Sequence, residues 1–353
     1  MPNTQPPTPA KLGLRMPAEW EPHEATWLSW PHPEGISFPE AYDTVPPVLA
    51  KMIDALADSE KVCINVRDAD EEEIVRNHLK KANARTAHVQ FFHIPTNEPW
   101  CRDHGPIFLV NGKKKPGSLS VVDWDYNAWG WKYPPFDLDD VVPTRIAELL
   151  NLKVFYPGMV LEGGSIDVNG SGTLLTTKSC LLNPNRNPIL TKKEIEQKLM
   201  DFLGVKNILW LGDGIEGDDT DGHIDDLTRF VKRSAVVSVV EEDEDDPNFL
   251  PLQENFAHLK EMDIEDGSPL EVHTLPMPRK IMCKGQRLPA SYANFYIANS
   301  VVLLPTFADA NDNWAISVME TVFPERKVIP IDCSELIWGL GAFHCLTQQQ
   351  PRG

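Results

Sequence analysis

Four short clusters in this sequence concentrate side chains able to do chemistry. They are residues 97–106 (Asn-Glu-Pro-Trp-Cys-Arg-Asp-His-Gly-Pro), 161–167 (Leu-Glu-Gly-Gly-Ser-Ile-Asp), 218–226 (Asp-Asp-Thr-Asp-Gly-His-Ile-Asp-Asp) and 339–349, which carries Phe343-His344-Cys345 and a polar Thr-Gln-Gln exit. Together they hold a cysteine, histidines and several carboxylates. A thiolate is the strongest side-chain nucleophile near neutral pH once a nearby cation lowers its pKa. Histidine can give and then take a proton. Carboxylates suit a cationic substrate. That combination fits hydrolysis at a guanidinium carbon, which is electron-poor but resonance-stabilised, and which could itself be the cation that activates the thiol.

Each cluster also has a plainer interpretation. Cys345 could be one more buried thiol, although its glycine-rich approach and polar exit favour a functional role. His344 is adjacent to it, but successive residues of an extended segment face opposite ways, so it is expected to be structural. His223 and Asp225 lie in a stretch too polar for a core; the alternative there is a turn or cap cluster. Glu162 before two glycines is weak evidence alone. Trp100 and Asp103 could serve packing and capping, and Arg102 is expected to be an ion-pair partner. Residues 218–226 do not fit a calcium loop: with Gly222 as its glycine, the first and twelfth positions are Gly217 and Thr228, neither a carboxylate.

The elements that must position these clusters recur. Apolar residues at three- and four-residue spacing predict helices over 45–57, 70–82, 143–150, 192–203, 250–262 and 314–322. Apolar strands are expected at 62–66, 89–94, 153–156, 208–211, 270–275 and 328–331. Strand pairs begin at 107, 165, 227 and 294, roughly sixty residues apart, and the first two run into Asn-Gly, a hairpin signal. Residues 25–30 could supply a fifth unit. Five α/β units imply a ring with strands inside and helices outside, leaving no exposed sheet edge. A doubly wound parallel sheet fits the helix–strand alternation but not the hairpins. In a ring the polar clusters would converge at one mouth.

The 353 residues suffice for a full core, and no Pro/Gly/Ser-rich linker divides them, so one domain is expected, with residues 1–13 a disordered lead-in. No apolar run suggests a membrane span or a secretory signal, and a cytoplasmic protein is expected. The six cysteines lack paired spacing, which argues against a disulfide framework or a thiolate zinc site. Acidic residues outnumber basic ones, 52 to 33, for a net charge of −19. That field repels nucleic acid and anionic lipid and favours a small cationic ligand. A homo-oligomer stays open.

Residues 16–23 (Met-Pro-Ala-Glu-Trp-Glu-Pro-His), 100–106, 161–165, 182–188 (Leu-Asn-Pro-Asn-Arg-Asn-Pro), 220–225 and 344–349 resemble the agmatine deiminase family, grouped with the bacterial-type peptidyl-arginine deiminases. The resemblance implies the pentein fold, a five-bladed α/β propeller. Carried onto this sequence, it implies Cys345 as nucleophile, His223 as general acid/base, Asp103 and Asp225 as the carboxylates gripping the guanidinium, and Glu162 orienting and charging His223. It implies no metal and no organic cofactor. Departures at Gly339-Leu-Gly-Ala-Phe343 and at Asp167 fall where the pocket would be lined, and Trp100 and Asp167 are expected to contact substrate. Agmatine hydrolysis in polyamine synthesis is thus the leading expectation. Deimination of peptidyl arginine is the second, and a silent cation-binding module the third. An amidinotransferase would share the same residues.

Overall fold

The computed structural model describes residues 6–111 and 119–353. Its main strands fall into five sheets built on one plan. An entry strand runs antiparallel to a central strand, which a helix then links to a parallel outer strand. In one sheet Ile107–Asn111 pairs antiparallel with Ser120–Val122, which pairs parallel with Lys153–Phe155. The next three are Ile166–Val168, Thr173–Thr177 and Asn207–Leu211; then Thr228–Lys232, Ala235–Val240 and Glu271–Pro276; then Tyr296–Ile297, Val301–Thr306 and Lys327–Asp332.

The remaining sheet takes its entry strand from the far end of the chain. Thr347–Pro351 lies antiparallel to His23–Ser29, which pairs parallel with Lys61–Val66, followed by Val89–His93. Residues 25–30 therefore do supply a fifth unit, although their antiparallel partner is distant in sequence. Strands spread over separate sheets, each with an antiparallel pair, rule out the single doubly wound sheet.

The helices form where the apolar spacing places them: Val45–Leu56, Ala69–Lys81, Val142–Leu149, Lys192–Leu203, Phe249–Leu259 and Asp312–Val322. Local chemistry sets their ends. Thr191 and Glu194 form a reciprocal capping box, and Gly204 ends that helix with φ 70°. Asp68 caps the Ala69–Lys81 helix through two backbone N–H groups. The central strands Thr173–Thr177, Ala235–Val240 and Val301–Thr306 are buried along their whole length, as expected of strands covered on both faces.

Two local expectations change. Residues 8–13, expected to be disordered, hold a hydrogen-bonded turn around the 3-10 segment Ala10–Leu12, and Leu14–Arg15 then pairs with the Ile107–Asn111 strand. The Asn-Gly hairpin at 169–170 is not a two-residue turn. Asn169 Oδ1 accepts from the N–H groups of Ser171, Gly172 and Thr173, and only Gly170 and Gly172 take positive φ there. Gly112 of the other Asn-Gly pair lies outside the described residues, whereas the antiparallel pairing on either side of it is present.

Candidate active site

In each unit a short turn precedes the entry strand: Cys101–His104, Gly163–Ser165, Ile224–Asp226, residues 291–294, and Phe343–Leu346. The Cys101–His104 turn packs against both Gly163–Ser165 and Phe343–Leu346, and Gly163–Ser165 packs against Ile224–Asp226. Asp103, Glu162, His223, Asp225 and Cys345 are thereby gathered at one centre, all buried.

The geometry there is tight. His223 Nδ1 lies 3.7 Å from Asp103 Oδ1 and 3.9 Å from Asp225 Oδ1. The Cys345 sulfur lies 3.7 Å from Asp225 Oδ2 and 3.0 Å from Asn294 Nδ2. Gly164 explains its own identity: a Cβ there would stand 2.6 Å from His223 Nδ1 and 2.8 Å from Asp103 Oδ1, while its N–H donates to Asp103 Oδ1 at 3.0 Å. Gly341 is likewise required by close approach, since a Cβ would meet Trp100 at 2.7 Å and the Cys345 sulfur at 3.1 Å.

Glu162 is fully buried. Its Oε1 accepts from Arg186 Nε at 2.6 Å, and Oε2 has no protein partner. Glu162, Cys180 and His223 present ligand-capable atoms within 4.8 Å of one another, the one such group found among the described residues; Arg186 already occupies one Glu162 oxygen. The Asp218 carboxylate is consumed by its own turn, accepting from the N–H groups of Thr220, Gly222 and His223. The turn interpretation of residues 218–222 therefore holds for that side chain.

Charge is unevenly shared. Burial pushes the Asp103 carboxyl up to about 6, with the charges of Asp225 and Glu162 adding to it against His223. Burial alone would depress His223; Asp103, with Cys180 and Asp225, outweighs it and holds the imidazole well above its ordinary value. The adjacent Asp225 and Asp226 part company. Burial would raise Asp225, but the hydrogen bond and charge of His344 reverse this and keep it below the ordinary value. Burial and the neighbouring Asp225 push Asp226 well up. Burial, and then the charges of Asp225, Asp226 and Asp103, hold the Cys345 thiol well above its ordinary value.

A cleft of about 570 Å³ reaches this centre, with Cys345 and Asp103 among its lining residues. Trp100, Trp129, Tyr133 and Trp338 supply aromatic walls, and Asp219 stands at a more exposed position, accepting from the Tyr133 hydroxyl. Trp100 thus lines the cleft as expected, its indole N–H donating to Ser37 Oγ at 2.9 Å. Trp129 donates to Asp103 Oδ2 at 3.0 Å. It sits in an unusual turn: Ala128, Trp129, Gly130 and Trp131 all have left-handed φ, 49°, 54°, 87° and 66°. Asn127 Oδ1 accepts from Gly130 N, and Asn127 Nδ2 donates to the Asn185 carbonyl. A Cβ on Gly130 would come within 2.4 Å of Asn185 Nδ2.

One expectation needs revision. Asp167 does not line the cleft: its Oδ2 accepts from Arg229 Nε at 2.6 Å and from Phe230 N at 3.2 Å, so its carboxylate is committed to a buried arginine. His344 does not line the cleft either and is structural as expected, although for a different reason: the 343–346 segment is a helical turn rather than extended. His344 Nδ1 lies 2.6 Å from Asp225 Oδ2 and its Nε2 lies 2.9 Å from Glu19 Oε2. Glu19 also accepts from Arg229 at 2.9 Å and from Arg102 at 3.4 Å. Arg102 is the ion-pair partner its sequence context suggests. Trp129, Asp219, Glu19 and Asn294 were not singled out from sequence. Glu19 lies within residues 16–23, and that stretch was its only signal.

Comparison with known proteins identifies the family. The family model of the Porphyromonas-type peptidyl-arginine deiminases matches residues 15–351. The chain is 37% identical to an agmatine deiminase of Pseudomonas aeruginosa, over 98% of this chain and 97% of that one. In structure it is similar to the agmatine deiminase of Enterococcus faecalis, with TM-score 0.90, 33% identity and 99% of each chain covered. It is also similar to a C. jejuni agmatine deiminase with substrate bound, with TM-score 0.87, 32% identity, and 96% and 97% of the two chains covered. With the match running almost from end to end, the chain belongs to the Porphyromonas-type peptidyl-arginine deiminase family.

Proposed function

We propose that this protein is a guanidino hydrolase that converts agmatine and water to N-carbamoylputrescine and ammonia. The observation that carries the proposal is the placement of carboxylates along one aromatic cleft, Asp103 buried beside Cys345 and Asp219 at a more exposed position. Agmatine has a cation at each end of an apolar chain. Asp103, with Asp225 behind the sulfur, suits the guanidinium; Trp100, Trp129 and Trp338 suit the methylenes; Asp219 suits the distal ammonium.

The chemistry follows from the residues. Cys345 attacks as thiolate on the guanidinium carbon, forming an S–C bond. His223, held protonated, gives its proton to the departing nitrogen; the C–N bond breaks and ammonia leaves a thiouronium attached to the sulfur. Neutral His223 then takes a proton from water as the oxygen adds to carbon. Breaking the S–C bond returns the thiolate, and the hydroxyl proton leaves with ammonia as ammonium. The net products are the ureido compound and ammonium.

The same proposal includes a single catalytic domain, with its five sheets set as the blades of a pentein propeller. It also includes a cytoplasmic location in polyamine synthesis, in keeping with six unpaired cysteines. The test is ammonia and ureido product from agmatine, arginine and an arginine peptide, with Cys345→Ala as control. Agmatine turnover that vanishes in Cys345→Ala while agmatine still binds is the expected result. Faster turnover of the peptide would move the protein to peptidyl arginine, and turnover by Cys345→Ala would end the nucleophile assignment.

A further inference from the structure

The turns before four entry strands supply Cys345, Asp103, Glu162 and the pair His223 and Asp225. The fifth, at residues 291–294, ends in Asn294, whose amide is fully engaged. Oδ1 accepts from three backbone N–H groups of the cysteine turn, those of Ala342 at 3.2 Å, His344 at 3.1 Å and Cys345 at 3.3 Å. Nδ2 donates to Asp226 Oδ1 and to the Cys345 sulfur, both at 3.0 Å. Donors on one side and acceptors on the other fix which end is oxygen. The segment is itself tied down, since Ser291 Oγ donates to the Asp226 carbonyl at 2.7 Å.

Resting on the Cys345 reading, we propose that Asn294 is a further catalytic residue: its Nδ2–H stabilises the Cys345 thiolate, while its Oδ1 fixes the turn that aims the sulfur. The charges around the sulfur call for such a group. Asp103, Asp225 and Asp226 surround it, so the carboxylates that hold a cationic substrate oppose ionisation of the thiol. Among the described residues, Asn294 supplies the one N–H donor to Sγ, and Asp225 Oδ2 is positioned to accept from the protonated thiol. The two partners therefore serve the two protonation states. A hydrogen bond strengthens when its acceptor becomes charged, so this contact favours the thiolate and the thiolate leaving group of the second step.

The experiment follows the rate of Cys345 alkylation by iodoacetamide against pH, in the wild type and in Asn294→Ala and Asn294→Ser, alongside kcat and KM. Loss of a hydrogen bond to a charged sulfur should move the alkylation midpoint up by about 1–2 pH and lower kcat roughly ten- to a hundredfold at neutral pH. A purely structural clamp would scale the rate at every pH without moving the midpoint, and that result in folded variants overturns the proposal. Should both variants fail to fold, the side-chain amide resonance of Asn294 in the wild type decides. It should titrate with the alkylation midpoint and lose that titration in Cys345→Ala; a resonance indifferent to the thiol overturns the proposal. Turnover by Cys345→Ala would instead remove the function on which this rests. An inactive Cys345→Ala with an unmoved midpoint in the Asn294 variants would remove the role of Asn294 alone.

Discussion

Two buried polar clusters meet at Asp225, and their hydrogen bonding is opposite in kind. On one side run His344, Glu19, Arg229 and Asp167, joined by contacts of 2.6 to 2.9 Å, with Arg229 also donating to the Phe295 carbonyl. On the other side lie both ring nitrogens of His223, Asp225 Oδ1 and Glu162 Oε2, none with a hydrogen-bond partner. Buried polar groups are normally paired because an unpaired one costs about 1–3 kcal/mol. The first cluster is accordingly a scaffold, in which each charge has an opposite charge and a hydrogen bond. The second holds acceptors and a titratable ring without hydrogen-bond partners, which the proposed function would offer to the N–H groups of the guanidinium. Stability is built on one side of Asp225, and it is given up on the other side for chemistry.

That contrast can be broken by mutation. His223→Ala should lower kcat by about 10²–10⁴-fold, the usual scale of general acid–base catalysis. It should lower the chemical-denaturation midpoint only modestly, because the buried Asp103 and Asp225 carboxylates lose a positive charge that faces them at 3.7 and 3.9 Å without a hydrogen bond. A large loss of stability would place His223 in the scaffold. Glu19→Ala should do the reverse in kind, lowering unfolding free energy by about 3–5 kcal/mol as Arg229 and His344 are left facing a gap. Denaturant melts that match the wild type would dissolve the contrast.

The rim sharpens it further. Asp219→Asn should raise KM for agmatine about fivefold, the scale of a partly exposed ion pair at about 1 kcal/mol, and spare a guanidine without a distal amine. Equal effects on both substrates would remove Asp219 from recognition. The smallest effect is in pH. With the Asp103 carboxyl at about 6, kcat/KM should rise as pH climbs through that value and the carboxylate becomes charged to receive the cation. On the alkaline side it should fall as His223 loses its proton, and a profile flat between pH 5 and 7 would contradict the Asp103 assignment.

The scaffold and the chemistry were not equally legible in the sequence. Helix bounds such as Lys192–Leu203 follow from local periodicity, the strand pairs near 165 and 227 from their recurrence at a fixed spacing, and the five residues proposed for catalysis sit in polar clusters at one recurring place. Asp167 was misjudged because its partner Arg229 is 62 positions away in the next unit, and no local pattern reveals a long-range ion pair. His344 is structural as expected, but its partners Asp225 and Glu19 lie 119 and 325 positions away, beyond any local pattern. Asn294 lies in Ser-Tyr-Ala-Asn-Phe, without a charge or nucleophile; the one available signal is its position before the Tyr296–Ile297 entry strand.

The turn carrying Trp129 has a consequence for how this protein can change. Left-handed backbone costs a non-glycine residue about 1–2 kcal/mol, and Ala128, Trp129 and Trp131 all adopt it in succession. Glycine would relax that strain at 128 and 131, whereas at 129 it would also delete the indole that steadies Asp103. Populations selected for heat resistance should therefore accumulate glycine at positions 128 and 131. Populations selected for turnover should keep tryptophan at 129, so the record of past selection would be written in three codons of one turn.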